Sequence, residues 1–136
     1  MDWGERRIGL ALSDERQVLA QPLTTLTRRP GKRFPLPRLL ELARRHRVTG
    51  VVVGLPLEAD GSEGDAARAA RALADDIARR SGLPVTLVDE RMTTARVLET
   101  VRELGGGTRG RKADLDALAA TLILQTYLDT RRGGAT

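Results

Sequence analysis

The chain contains no cysteine, and that one absence removes disulfides, thiolate zinc centres and thiol nucleophiles together. A single histidine, His46, rules out a multi-histidine metal cage and leaves little from which to build a hydrolase triad. Aromatic residues are just as scarce. Trp3, Phe34 and Tyr127 are too few for the base-stacking platform that single-strand binders use. Long apolar runs are missing too: stretches such as Gly50 to Leu57 fall far short of the roughly 18 residues that a membrane span requires. Charge begins at Asp2, so no secretory leader is expected, and the expected location is cytoplasmic.

What the chain has in quantity is charge. Its 136 residues suit one domain, and 40% hydrophobic with 30% charged residues is an ordinary globular balance. Lys and Arg number 23 against 18 acids, a formal charge of +5 that favours an anionic partner. The distribution is more informative than the sum. Eight basic residues (Arg28, Arg29, Lys32, Arg33, Arg38, Arg44, Arg45 and Arg47) share the 28–47 segment with one acid, Glu41. Between Glu58 and Asp76 the balance reverses to six acids and two arginines. A second basic knot, Arg109-Gly110-Arg111-Lys112, follows three glycines. With so few aromatics, a nucleic-acid partner would be held mainly through its phosphates.

Hydrophobic periodicity predicts an α/β domain with helices on both faces of a mixed sheet. Ile8–Ser13 and a stretch around Gln17–Thr25 read as strands separated by the turn residues Asp14 and Glu15. Pro35–Val48 reads as an amphipathic helix with Leu39, Leu40 and Ala43 inward. Val51–Val53 is a continuous apolar run of the kind that a strand covered on both faces requires. Glu63–Arg80 is an alanine-rich helix with Ala66, Ala70, Leu73 and Ile77 on one face, followed by a buried strand at Val85–Val88. A further helix carries Val97, Leu98, Val101 and Leu104. The last runs from about Asp114 to Asp129 with Leu115, Leu118, Ala119 and Leu122 inward. The expected domain spans 1–130, with 131–136 a disordered tail.

Three segments carry residues capable of chemistry. In Asp2-Trp3-Gly4 an acid precedes a glycine that permits a tight turn; the alternative is a plain hairpin with a solvated Asp. Glu90 follows the strand Val85–Val88, and in α/β sheets ligands gather outside the carboxyl ends of strands. The alternative for Glu90 is a surface acid paired with Arg91. Thr93 and Thr94 read best as caps of the following helix. Asp114 suits an N-cap, and Asp116 in a first turn would complement the helix dipole by ~0.3–1 kcal/mol.

Taken in order, these segments resemble the YqgF/RuvX family, the pre-16S rRNA nucleases also described as Holliday-junction-resolvase-like. Asp2-Trp3-Gly4 and Arg7-Ile8-Gly9 through Ala11, Ser13 and Asp14 look like the family's first hairpin. Val53-Gly54-Leu55-Pro56 with Asp60-Gly61 is similar to its central strand and loop. Asp89-Glu90-Arg91-Met92-Thr93-Thr94 matches a third signature. The ending does likewise, with Asp116-Ala117-Leu118-Ala119-Ala120, then Ile123-Leu124-Gln125 and Tyr127-Leu128. The resemblance covers nearly the whole chain. It implies a ribonuclease-H-like fold, a mixed central sheet flanked by helices, with Asp2, Glu90 and Asp116 as the active-site carboxylates. Only Met1 precedes Asp2 where the family has a short apolar strand, so the first strand reads as truncated. An in-frame upstream stretch such as Leu-Gly-Leu would restore it.

Three converging carboxylates repel one another by a few kcal/mol per close pair at an effective dielectric near 20. A divalent cation relieves that repulsion, and oxygen donors without cysteine suit Mg2+ or Mn2+ rather than zinc. Two ions, with Asp2 shared and Glu90 and Asp116 holding one side each, would support in-line displacement at phosphorus. Arg7, Arg91 and Lys112, with Arg109 and Arg111, are candidates for gripping phosphates, and surface ion pairing is their alternative. The expected activity is metal-dependent phosphodiester hydrolysis, with the 5′ end of pre-16S rRNA the family's target. A Holliday junction resolvase acting as a symmetric dimer, a phosphotransferase and a catalytically idle binding module are the competing readings. The partner is nucleic acid, pre-rRNA or branched DNA, with no membrane, and the chain is a monomer or homodimer.

Overall fold

In a computed structural model, the described backbone comprises residues 1, 7–28, 34–94, 97 and 111–134, with side chains of the last segment described from 115 to 131. β1 (Arg7–Ser13) and β2 (Ala20–Thr27) form an antiparallel ladder that places Arg7 opposite Thr27 and Ser13 opposite Ala20. The register shifts after Leu10, so Leu23 is an extra residue on β2. Pro22 sits beside this bulge on an outer strand, where a missing N–H is tolerated. The second strand starts at Ala20 rather than at Gln17 as expected. The reason is Asp14, whose Oδ1 accepts from the N–H groups of Val18 at 2.8 Å and Leu19 at 3.1 Å. Gln125 secures the same entry, donating to Val18 O at 2.9 Å and accepting from Ala20 N–H at 2.8 Å.

β3 (Val51–Leu55) and β4 (Val85–Asp89) pair in parallel, Val51 opposite Val85, and α2 (Asp65–Ser81) makes the crossover that parallel strands need. Met1 extends this ladder. Its amino group donates to Val52 O at 2.7 Å and its carbonyl accepts from Gly54 N–H at 2.9 Å, a parallel bridge centred on Val53. Among the described residues the expected mixed sheet takes the form of two ladders. A cavity of about 690 Å³ lies between them, with Leu10, Leu12, Val51, Val52, Leu124 and Leu128 in its walls.

α1 (Leu36–Arg45) buries Leu36, Leu39 and Leu42; Leu40 and Ala43, expected inward, are only partly buried. α2 buries Ala67, Ala70, Leu73, Ala74 and Ile77, and Ala66 points to solvent. Ile77 and Val53 are fully enclosed, and each such burial stabilises by about 1.5–3 kcal/mol relative to exposure.

α3 (Arg111–Gly134) packs across β1 and β2 and is longer than the helix expected from 114 to 129. It continues four residues into the segment expected to be a disordered tail. Its inward stripe is Asp116, Ala117, Ala119, Ala120, Ile123 and Leu128, whereas Leu118 is 40% exposed. The cause is proximity. A Cβ at Gly9 would overlap the main chain of Asp116, so the helix lies almost on β1 and the nearby inward positions take small side chains. Of the helix expected around Val97, Leu98, Val101 and Leu104, only Val97 is among the described residues; it is helical and donates to Thr94 O at 3.1 Å. No helix among the described residues is long and apolar enough to cross a membrane.

Candidate active site

β4 ends at Asp89, and the chain turns at once through a single 3-10 turn, Glu90–Met92. Asp89 caps that turn by accepting the Arg91 N–H at 2.9 Å. Asp89 and Arg91 then face outward while Glu90, between them, goes inward and is 1% exposed. Across the ladder lies Gly54. A Cβ there would overlap Glu90 Oε1 and come within 2.8 Å of Ile123 Cδ1, so the missing side chain supplies the space that the carboxylate fills. The surface pairing of Glu90 with Arg91 is not what forms. Arg91 instead forks onto Asp89, Nη2 to Oδ2 at 2.8 Å and Nε to both oxygens at 3.1 and 3.2 Å. Asp89 holds the Arg91 guanidinium above its ordinary pKa. Thr93, expected as a helix cap, closes the turn: its N–H and its hydroxyl both donate to Glu90 O at 3.1 Å.

Asp116 lies one turn deeper in its helix than expected, because α3 begins at Arg111 and not beyond Asp114. Asp114 is thus inside the helix rather than its N-cap. Asp116 is 3% exposed, and Arg7 Nε donates to its Oδ2 at 2.7 Å. A solvated first-turn carboxylate does not describe it. Seven residues separate Asp116 from Ile123, about two turns and about 10 Å of rise, so both lie on one helix face. Glu90 meets that face beside Ile123, and Asp116 meets the sheet over Gly9. Glu90 and Asp116 are the only buried polar or charged residues among those described. Burying a carboxylate is costly unless its surroundings compensate, and for Asp116 the Arg7 guanidinium does so.

Asp2 lies outside the described residues, as does Arg109; Arg111 and Lys112 are placed on α3 by their backbone alone. Among the described residues, no three His, Cys, Asp or Glu side chains are grouped to hold a metal. His46 is exposed beyond the end of α1. The donors that are buried are carboxylate oxygens, which fit a hard divalent cation such as Mg2+ or Mn2+. Sequence reasoning placed Gly9, Gly54 and Asp89 in motifs but gave them no role. A glycine inside a strand pattern signals a close approach, and Asp89 ends its strand one residue before Glu90, but neither signal names the group that approaches.

The loop after β3 borders this turn. Its Asp60 accepts from the Ser62 hydroxyl at 2.6 Å and the Ser62 N–H at 2.9 Å, which lowers its pKa from the usual carboxylate value. Glu63, likewise lowered, accepts from Arg71 at 2.6 Å.

The RuvX family profile, described as Holliday junction resolvase, matches residues 1–130. The chain belongs to the RuvX family. Its ribonuclease-H-like fold accounts for the α/β layering. Similar proteins are matched over most of their own length. One from Anaeromyxobacter sp. (strain Fw109-5) is 44% identical over 96% of this chain and 95% of its own. One from Roseiflexus sp. (strain RS-1) is 41% identical over 97% and 93%. One from Myxococcus xanthus (strain DK1622) is 42% identical over 97% and 87%. All three bear the name "Putative pre-16S rRNA nuclease".

Proposed function

We propose that this RuvX-family chain is a metal-dependent nuclease that hydrolyses phosphodiester bonds in RNA and processes the 5′ end of pre-16S rRNA. The observation that carries the reading is the burial of two carboxylates, Glu90 in the space that Gly54 leaves and Asp116 where Gly9 lets the main chain of α3 approach β1. Three relatives matched over 87–95% of their own length, each named for pre-16S rRNA, supply the substrate. Glu90 and Asp116 would hold a divalent cation, Mg2+ or Mn2+, with Asp2 as a further ligand. Bound there, the metal supplies charge stabilisation at phosphorus and a nucleophile at neutral pH. Arg7 orients Asp116 from its own strand. Arg109, Arg111 and Lys112 grip substrate phosphates.

Labelled RNA, single-stranded DNA and a four-way junction, each with Mg2+, Mn2+ or chelator, test this beside Glu90→Gln and Asp116→Asn. Metal-dependent RNA cleavage by the parent and a loss of at least about 100-fold in each variant are expected, the upper end for removing a group that supports a metal ligand. RNA affinity in chelator stays equal or rises, because negative charge is removed while the phosphate grip remains. Variants that cut as fast as the parent show the carboxylate assignment to be wrong. The profile's description favours one second reading, a junction resolvase, and cleavage confined to the junction selects it.

A further inference from the structure

We infer that Arg91 is a positioning residue: its guanidinium clamps the loop after β3 to the end of β4 and thereby holds Glu90 in its buried place. The role given to Glu90 rests on the nuclease reading; the clamp itself does not. Three residues of one turn divide the work. Asp89 Oδ1 fixes the Arg91 N–H at 2.9 Å, and Thr93 fixes the Glu90 carbonyl twice at 3.1 Å, so the peptides around Glu90 are tied on both sides. The Arg91 side chain then reaches out of the turn. Its Nη1 donates to Ala59 O at 3.4 Å, across 32 residues of sequence.

The loop it meets is already shaped. Glu58 N–H donates to Ser62 O and Gly61 N–H to Glu58 O, both at 2.9 Å, and the Asp60 carboxylate takes the Ser62 N–H and hydroxyl. Gly61 lies close against the guanidinium; a Cβ there would come within 3.3 Å of Nη1. One arginine therefore joins a formed loop to a formed turn.

A phosphate would have to displace a forked carboxylate to use this guanidinium, and forked Arg–carboxylate pairs are among the stronger charge-assisted bonds. Asp89 and Asp60 also place two negative charges beside Arg91. Both would repel a phosphate. Gripping substrate and clamping the loop are thus competing uses, and the observed bonds favour the clamp.

The test compares Arg91→Met, Arg91→Lys and Asp89→Asn with the parent and Glu90→Gln. A glutamate-specific protease reads the clamp by its cutting after Glu58 and Glu63, relative to Glu41 in α1. Cutting in the loop should rise about tenfold in Arg91→Met, and Arg91→Lys should follow it because an ammonium cannot fork. In chelator, the slope of log RNA affinity against log salt should stay that of the parent, where release of one phosphate would lower it by about 0.7. Steady-state cleavage should show kcat down by about 10–100-fold with KM for RNA unchanged, as for a group supporting a metal ligand. A flattened slope with raised KM, or loop cutting unchanged in Arg91→Met, overturns the inference. If the parent cleaves nothing, the nuclease reading fails while the protease arm still decides the clamp.

Discussion

A methyl group at Gly9 would collide with the main chain of α3 at Asp116, and a main chain cannot rotate out of the way as a side chain can. Gly9→Ala must therefore lift the helix from β1, at a cost at or above the ~3 kcal/mol upper end for overpacking. Urea denaturation should show the midpoint falling with little change in slope. Gly54 differs in kind, because its neighbours are the Glu90 carboxylate and the tip of Ile123, both side chains. Gly54→Ala should cost less, ~1–3 kcal/mol, yet abolish cleavage by displacing Glu90; denaturation and a cleavage assay on one preparation separate the effects. At this scale the sequence was only partly legible. Glycine within a strand pattern announces that something comes close, but Asp116 and Glu90 lie 107 and 36 positions from their glycines, and no local pattern encodes a partner so distant.

Elements were easier to read where one hydrophobic period decides them. The Val51–Val53 run and the alanine-rich helix both emerged near their expected places, since burial on two faces or on one helical stripe leaves a direct mark in the residue order. Ends set by side-chain bonds were not legible. β2 starts three residues late because Asp14 takes the N–H groups of Val18 and Leu19, and α3 starts three early, which moved Asp116 from a first turn into the interior. The Asp14 capping makes a prediction. Those two backbone N–H groups hold its carboxyl below the usual pKa of 3.8. A carboxyl lowered on folding stabilises above its unfolded pKa, and that contribution is lost as pH falls through the folded value. Asp14→Asn should therefore melt below the parent by a constant interval above about pH 5 and by a shrinking one under about pH 4. An interval that ignores pH would show that the carboxylate charge is irrelevant to the turn.

Over the whole molecule, the two signs of charge behave differently. Three of the six acids between Glu58 and Asp76 are matched on the spot: Glu63 with Arg71, Asp65 with Arg68 and Asp76 with Arg79. Exposed pairs of this kind add ~0.2–1 kcal/mol each and leave little net field. In the basic segment Arg38 pairs with the one acid, Glu41, at 3.1 Å, and Arg44, Arg45 and Arg47 stand exposed at the end of α1. The positive potential of a +5 chain is thus concentrated before β3, while the buried carboxylates lie past the end of β4. On the nuclease reading, the basic segment would add to substrate binding while the carboxylates would serve cleavage. Neutralising Arg28, Arg29, Lys32 and Arg33 together should flatten the salt dependence of RNA binding by about 0.7 in slope for each phosphate no longer gripped. KM should rise while kcat at saturating RNA holds, because no group at the reacting centre has changed. A slope equal to the parent's would make this run a solvated surface and would transfer the task of substrate capture to Arg109, Arg111 and Lys112.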